Sequence, residues 1–226
     1  MNDKKVVVAI TGASGMIYAV RLIEVFIASE WDVHLIISPS AYSLLERELN
    51  LRLNPEKFDP VKFGISQNCV SELFPSGQVH FHDCGSYMSP LVSGSFRTDG
   101  MVICPCTMGT LGHIASGTGS NLIHRAADVH LKEHRKLVLV PRETPLSNIH
   151  LRNMLTLSEA GAVILPAAPG FYHCVKDLRD IVNFVVSRIC DQFDIENNLI
   201  RRWKLPSEQE RDAEVLNDER FVEIAG

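Results

Sequence analysis

Apolar runs of strand length alternate with amphipathic segments of helix length along most of the chain. The runs predict β-strands over residues 6–10, 33–38, 100–105, 136–141 and 162–166. The segments that follow them predict helices over about 16–30, 41–50, 110–115, 121–135, 148–161 and 176–193. Continuous apolar strands separated by helices indicate an α/β fold with three layers, in which helices cover both faces of a mainly parallel sheet. Right-handed crossovers then bring every strand-to-helix turn to one edge of that sheet.

Two regions depart from this alternation. Residues 50–98 contain scattered Pro and Gly, and we interpret them as an excursion that carries extra strands. Residues 205–226 are acidic and mostly polar, which predicts a solvated helix or a loose C-terminal tail. The remaining length fits one domain, which we place at residues 1–204.

Charge and composition narrow the class of protein. The formal net charge of -5 argues against a general nucleic-acid binder and against a protein that binds anionic membranes. The first apolar run is too short for a signal peptide, and no later run is long enough to cross a bilayer. We therefore expect a cytoplasmic protein whose six cysteines are thiols. Cys104 and Cys106 are too close for a C-x-x-C pair, and His80 and His82 are interpreted as a solvent-facing strand side, so no metal is expected.

The turn ITGASGMIY (10–18) comes directly after the first predicted strand. Its glycines, Gly12 and Gly15, are spaced G-x-x-G, which differs from the dinucleotide fingerprint G-x-G-x-x-G. Thr11, Gly12 and Ser14 would offer backbone N–H groups and hydroxyls to an anion at the start of the following helix. Alternatively, the glycines only permit a tight turn. At the end of the second strand, Ser38 stands where a nicotinamide dinucleotide site expects Asp or Glu, which favours a mononucleotide.

Further polar and cationic side chains are predicted near that edge or on neighbouring helices. The other turns supply Thr107, Gly109, Thr110, Arg142, Glu143 and Tyr172. Arg125 and Lys132 are seven positions apart, so they share one helix face with Asp128 between them. Surface ion pairing is the alternative explanation for that stripe. Arg188 lies in the otherwise apolar stretch NFVVSRICDQF, where a buried Arg needs either a structural carboxylate or a ligand phosphate.

Taken together, these stretches resemble the UbiX-type flavin prenyltransferases of the homo-oligomeric flavin-containing decarboxylase-like family. The segments that carry the resemblance are TGASG, HLIIS, SGS (93–95), MVICPCTMGTL, NLIHRAADVHLKE, LVLVPRETPLSNIHLRNML, GAVILPAAPGFYH and IVNFVVSRICDQF. The resemblance implies a flavodoxin-like or Rossmann-like αβα fold, bound FMN, and a homo-oligomer, typically a dodecamer, with sites at subunit junctions. It also implies transfer of a dimethylallyl group from dimethylallyl monophosphate to reduced FMN. The prenylated FMN would serve a partner decarboxylase, as in ubiquinone biosynthesis or aromatic-acid decarboxylation.

The resemblance also implies roles for individual residues. The implied FMN contacts are Gly12, Ala13, Ser14, Ser38, Thr107, Met108, Gly109, Thr110 and Arg142. The implied groups around the substrate are Arg125, Lys132, Tyr172 and Arg188, with Tyr87 where the family has a Trp lining the prenyl pocket. The implied catalytic residues are Glu48, Lys132, Glu143 and Ser14, the two Glu acting as acid–base carboxylates. Independently, release of an allylic phosphate needs cations around the leaving group, and the chain has no D-D-x-x-D motif that would hold Mg²⁺.

Three alternatives stay open at this point. An FMN-dependent cysteine decarboxylase of the same fold is expected to carry a catalytic His in the first helix, and MIYAVRLIEVFIASE contains none. A non-catalytic FMN carrier would not need the set Glu48, Lys132 and Glu143. A nicotinamide reductase is disfavoured by Ser38.

Overall fold

The computed structural model describes residues 4–54, 58–59, 79–172 and 175–202. The strands are β1 (Lys5–Ile10), β2 (Asp32–Ile37), β3 (Val79–Asp83), β4 (Gly100–Cys106), β5 (Lys136–Pro141) and β6 (Val163–Ile164). The helices are α1 (Met16–Ala28), α2 (Pro39–Leu49), α3 (Met108–Ala115), α4 (Leu122–Lys132), α5 (Asn148–Glu159) and α6 (Leu178–Gln192). The predicted strands and helices are therefore confirmed, with boundaries that shift by a few residues.

The six strands form one parallel sheet in the order β3-β2-β1-β4-β5-β6. Val8 of β1 pairs with Leu35 on one side and with Val102 on the other, so β1 and β4 lie at the centre. The strand order changes direction between them. Ligands of open α/β sheets bind at such a switch point, beyond the carboxyl ends of the strands.

Alternate side chains of each strand pack into two separate cores. Val6, Val8 and Ile10 face the layer formed by α1, α2 and α6. Val7 and Ala9 face the layer formed by α3, α4 and α5. This arrangement confirms the three-layer α/β fold, and it places α4 and α6 on opposite faces of the sheet.

Among its described residues, the irregular region 50–98 contributes strand β3 to the sheet. Strand β3 pairs with β2 at the outer side of the sheet, which agrees with the prediction that this region carries extra strands. Residues 55–57 and 60–78 lie outside the described part, as does the predicted tail 205–226. The domain boundary at residue 204 therefore stays a prediction. Within the described residues, no helix is both long and apolar enough to cross a membrane.

Candidate functional site

The turns that follow β1 and β4 are bound to each other at the switch point. The Thr11 hydroxyl donates to the Pro105 carbonyl at 2.8 Å and accepts from the Thr107 N–H at 2.8 Å. Thr11 is buried. The two turns are therefore adjacent, as the parallel sheet predicts. The expectation that Thr11 offers a donor to a ligand is wrong, because its hydroxyl is used to join the turns.

The start of α1 is occupied by a carboxylate from α2. Glu48 Oε2 accepts from the N–H groups of Gly15 and Met16, both at 2.9 Å. A negative charge is favourable here because the aligned peptide dipoles leave the helix N-terminus partly positive. The N–H groups of Gly15 and Met16 are thus already paired and offer no free donor to an anionic ligand. Arg52, just after α2, pairs with Glu46 at 2.7 Å.

The turn after β1 and the start of α2 approach each other closely at Gly12 and Ser40. A Cβ at Gly12 would stand 2.4 Å from Ser40 Oγ, so only glycine permits this approach. The hydroxyls of Ser38 and Ser40 are 3.1 Å apart, and Ser40 is exposed. Sequence reasoning missed Ser40. Its position as the second Ser of S-P-S, in the first turn of a helix after a strand, was the available signal. Ala13 is buried and its N–H is bonded to the Thr11 carbonyl, so that N–H offers nothing to a ligand.

The start of α3 is capped by its own N-cap residue. Thr107 Oγ1 accepts from the Thr110 N–H at 3.0 Å and donates to the Thr110 hydroxyl at 2.9 Å. Met108 is buried beneath this turn, whereas Gly109 is exposed. A Cβ at Gly109 would meet only Thr107 Oγ1, at 3.9 Å, so the backbone here is open to an approaching group.

Arg142 links the turn after β5 to the turn after β1. Its Nε donates to the Ser14 carbonyl at 3.2 Å, and the Ser14 side chain is exposed. Glu143 is exposed too, and its carboxylate accepts from the Thr144 N–H at 3.1 Å. The structure therefore brings Gly12, Ser14, Ser38, Thr107 and Arg142 to one edge of the sheet.

Arg125 and Tyr87 meet around a glycine before α4. The Tyr87 hydroxyl donates to the Gly119 carbonyl at 3.4 Å, and a Cβ at Gly119 would stand 2.5 Å from Arg125 Cδ. The Leu122 N–H donates to the Cys84 carbonyl at 2.9 Å, just beyond the carboxyl end of β3. The start of α4 thus lies on the same edge of the sheet as the other turns.

Lys132 lies at the opposite end of α4. The helix has 11 residues, so it is about 16 Å long at 1.5 Å per residue. Lys132 precedes the amino end of β5, and its Nζ donates to Glu133 at 2.8 Å rather than pairing with Asp128. Within a single chain, Lys132 is therefore not brought to the turns after β1 and β4.

Arg188 lines a cavity of about 330 Å³ beyond the edge strand β6. Leu165, Pro166 and Phe184 form part of its wall, and the Tyr172 ring packs edge-on against Phe184 at 5.7 Å. The expectation that Arg188 is buried is wrong, because its side chain is 51% exposed at the outer end of the sheet. Its carboxylate partner is Asp191, at 2.8 Å. Since α6 and α4 cover opposite faces, the sheet separates Arg188 from Arg125 and Lys132.

The histidines near β2 and β3 form a hydrogen-bonded chain. His34 Nδ1 lies 2.9 Å from His82 Nε2, and His82 Nδ1 lies 3.0 Å from the Ser89 hydroxyl. The interpretation of His82 as solvent-facing is therefore wrong. Burial, followed by the neighbouring His82, lowers the pKa of His34 to about 3. No cluster of three or more metal-ligating side chains occurs in the described part of the chain.

The cysteines in the described ranges are buried thiols. Cys84, Cys104, Cys106 and Cys190 are all free. Burial raises the pKa of Cys106 to about 12, which keeps this thiol protonated and unreactive at neutral pH.

The sequence of this chain is similar to those of known proteins over most of its length. A family model described as Flavoprotein matches residues 1–190. The flavin prenyltransferase UbiX of Alkalihalophilus pseudofirmus is 46% identical over 203 residues, which cover 89% of this chain and 96% of the relative. The chain belongs to the UbiX-type flavin prenyltransferases of the flavoprotein family. The family resemblance read from the sequence is thereby confirmed.

Solved structures of UbiX-type proteins agree in fold. AnUbiX (PadA1), solved in complex with FMN and dimethylallyl pyrophosphate, superposes with a TM-score of 0.78 at 36% identity, covering 91% of this chain and 100% of that one. A dodecameric FMN-dependent UbiX-like decarboxylase from Escherichia coli O157:H7 superposes with a TM-score of 0.76 at 38% identity, covering 89% and 100%.

Proposed function

We propose that the protein is a flavin prenyltransferase that transfers a dimethylallyl group from dimethylallyl monophosphate to reduced FMN. The observation that carries this proposal is the 46% identity to a UbiX flavin prenyltransferase over 96% of that relative's length. The similar AnUbiX structure contains FMN and dimethylallyl pyrophosphate together. These two relatives therefore indicate which substrates the residues of this chain have to bind: a flavin mononucleotide and a dimethylallyl phosphate.

The residues at the switch point fit FMN. The Gly12 turn lets the backbone lie close to the Ser40 hydroxyl, and Ser38 adds a second hydroxyl where a dinucleotide site has a carboxylate. The exposed backbone at Gly109 and the Arg142 guanidinium supply further donors at the same edge. Hydroxyls, backbone N–H groups and one guanidinium suit a phosphorylated ribityl chain better than an adenosine ribose.

The cationic residues fit the departure of an allylic phosphate. When bound, reduced FMN supplies the nucleophile for the allyl group, and the protein positions the reactants. Arg125, Lys132 and Arg188 would hold the leaving phosphate, with a hydrogen bond from the Tyr172 hydroxyl. In this proposal Ser14 lies beside the flavin, and Tyr87 lines the prenyl pocket.

Two carboxylates are proposed to move protons. Gly15 and Met16 fix the Glu48 carboxylate through Oε2. Within the described chain no hydrogen bond engages its Oε1, so this oxygen can accept a proton that leaves the flavin ring. Glu143 follows Arg142 directly and is exposed, which suits proton transfer at the departing phosphate.

We further propose that each site is assembled from more than one copy of the chain. Arg188 lies on the opposite sheet face from Arg125. Lys132 lies near the amino ends of the strands, whereas Gly12 lies at their carboxyl ends. Helix α5 also exposes large apolar side chains that an interface would cover: Leu151 (49%), Leu155 (59%) and Ile149 (66%). A dodecamer like that of the Escherichia coli relative would meet both requirements.

Mass spectrometry of the flavin tests the reaction. The protein is incubated without oxygen with reduced FMN and dimethylallyl monophosphate, and the flavin is then extracted. We expect a flavin heavier by one dimethylallyl group, and no such product when either substrate or the protein is left out. An unchanged flavin in the complete mixture would contradict the proposed activity.

A mixing experiment tests the shared site. Arg125→Met and Arg188→Met are each expected to have low activity. When the two variants are unfolded and refolded together, mixed oligomers should regain part of the activity, because some junctions then receive both wild-type arginines. If a single chain supplies the whole site, the mixture will stay as inactive as its components.

The product defines the protein's partner by class. Following the family resemblance, we propose that prenylated FMN passes to a decarboxylase that uses it as cofactor. Adding the reaction product to such an apo-decarboxylase should produce carbon dioxide from its acid substrate, whereas unmodified FMN should not.

A further inference from the structure

Three charged side chains meet at the C-terminal end of α6. The Asp191 carboxylate accepts two hydrogen bonds from Arg202, both at 2.7 Å, one on each of its oxygens. It also accepts one from Arg188 Nη1, at 2.8 Å. Asp191 thus joins a residue on its own helix to a residue 11 positions later in the chain.

This cluster differs from an ordinary surface ion pair. The Asp191 side chain is only 22% exposed, and the two parallel bonds to Arg202 form the paired geometry that fixes a guanidinium against a carboxylate. Hydrogen bonding from Arg202 lowers the pKa of Asp191, so the carboxylate stays ionised. Arg21 and Glu24 on α1 have the same three-residue spacing as Arg188 and Asp191, but they have no comparable third charged partner in the described chain.

The cluster leaves Arg188 able to bind another anion. Asp191 engages only Nη1 of Arg188, and a guanidinium carries five N–H donors. Arg188 also lines the cavity beside β6, together with Pro166 and Phe184. Two guanidinium groups and one carboxylate leave the cluster with one net positive charge. The part of Arg188 that faces the cavity is thus both oriented and cationic.

We propose that Asp191 is a positioning residue that holds the Arg188 guanidinium at the cavity rim in the orientation that receives a phosphate monoester. Arg202 in turn fixes Asp191, so that the carboxylate does not swing toward solvent with Arg188. The identity of the phosphate ester, dimethylallyl monophosphate, rests on the proposed function. The orientation of Arg188 by Asp191 does not.

Binding measurements on the FMN-loaded full-length protein test this proposal. The dissociation constants of inorganic phosphate and of dimethylallyl monophosphate are measured by calorimetry for the wild type and for Asp191→Asn. We expect both to rise about tenfold in Asp191→Asn, because the flexible Arg side chain loses its fixed orientation. FMN affinity should stay unchanged. Glu24→Gln, which breaks the matched pair on α1, should change neither ligand.

A double-mutant cycle separates positioning from a general structural role. In an Arg188→Met background, Asp191→Asn should cause no further loss of phosphate affinity, since the group that it orients is gone. In steady-state assays, Asp191→Asn should raise KM with little change in kcat. Equal losses with and without Arg188, tighter phosphate binding, or unchanged affinity would each overturn the proposal.

Two further results keep the outcomes distinct. If Asp191→Asn does not fold, Arg202→Lys is measured instead, because lysine keeps the charge but cannot form the two paired hydrogen bonds. We expect Arg202→Lys to lose less phosphate affinity than Asp191→Asn would. Unchanged affinity in Arg202→Lys would overturn the proposal. If the wild type does not turn over dimethylallyl monophosphate, the proposed function fails, whereas the phosphate measurements still decide the role of Asp191.

Discussion

Helices α1 and α3 begin at the same edge of the sheet, after the two strands that flank the switch point, yet their first turns are completed differently. At α1 the acceptor is Glu48, which lies 33 residues beyond the Gly15 N–H that it binds. At α3 the acceptor is Thr107, the residue directly before the helix. One start is closed by a charged group from another helix, and the other by a neutral local cap.

This difference decides where an anion can bind. A carboxylate already neutralises the positive end of α1, so a ligand phosphate gains little there. The Thr107 cap uses one N–H of α3 and leaves that helix dipole without a charged partner among the described residues. We therefore expect FMN to be held by the turn at Gly12, the Ser38 and Ser40 hydroxyls beside it and the start of α3, while Glu48 acts on the flavin ring.

The largest expected effect comes from removing the charge at α1. Glu48→Gln retains a carbonyl that can accept from Gly15, but it cannot take up a proton. We expect prenylated FMN to form about 10²–10⁴-fold more slowly. Rapid-mixing absorbance and chromatography of the flavin measure this rate. Glu46→Gln, on the same helix but in an exposed pair with Arg52, is the matched control and should react at the wild-type rate. Full activity in Glu48→Gln would reduce Glu48 to a helix cap.

A pH titration tests how far histidines that are bonded across neighbouring strands control stability, without a mutation at the candidate site. His34 bonds to His82 on the neighbouring strand, whereas His130 bonds to the Ala126 carbonyl of its own helix. Burial lowers the pKa of His34 to about 3 and also lowers that of His82. The unfolded chain, with imidazole pKa values near the ordinary 6.5, thus takes up protons first as the pH falls.

We expect the free energy of unfolding in urea to be greatest above about pH 6.5, and to fall by at most about 1.4 kcal/mol per pH unit for each such histidine below it. His34→Gln should flatten the slope between pH 7 and 5. His134→Gln, at an exposed position after α4 and away from these histidines, is the control. If the free energy of unfolding depends on pH identically in the wild type and in His34→Gln, the His34–His82 pair does not control acid sensitivity.

Gly12→Ala sharpens the comparison from the FMN side. The added methyl would stand 2.4 Å from Ser40 Oγ and 2.7 Å from Ser40 Cβ, so the start of α2 must move. We expect FMN affinity, measured by fluorescence quenching, to fall about tenfold, the equivalent of 1.4 kcal/mol. Adding Ser40→Gly removes both contacting atoms and should recover part of that loss. If Gly12→Ala binds FMN like the wild type, the close approach of Gly12 and Ser40 is not part of the FMN site.

The smallest expected effect is at the start of α3. Thr107→Ala removes the local cap and should lower the free energy of unfolding by about 1 kcal/mol. It should also weaken FMN binding, since the exposed backbone at Gly109 loses its support. Ser147→Ala removes the equivalent cap of α5, which likewise accepts from a backbone N–H three residues on. That control should lower stability by a similar amount and leave FMN binding intact.

The sequence by itself determined the strand and helix pattern, the edge on which the turns meet, and the family. These properties depend on local alternation of apolar residues and on turns such as TGASG, which act over a few neighbouring positions. Gly12, Ser38 and Arg142 could be assigned to one edge for the same reason. Thr107 could likewise be assigned to this edge, in the turn before the helix predicted from residue 110, but its role as the N-cap of α3 is a finding of the structure.

Only the tertiary structure decided what the charged side chains contact. Glu48 lies at the start of α1 because α2 packs beside it, and no spacing along the chain encodes that distance. Arg188 is exposed because it lies on the face of α6 that lines the cavity beside β6, the last strand of the sheet, whereas its neighbours Ser187 and Ile189 are buried. Arg125 and Arg188 lie on opposite faces because the strand order runs outward from the centre in both directions. Right-handed crossovers then put α1 and α2 on one face and α3 to α5 on the other, and α6 returns to the first face. Such contacts join residues far apart in sequence, and packing of the whole chain selects them.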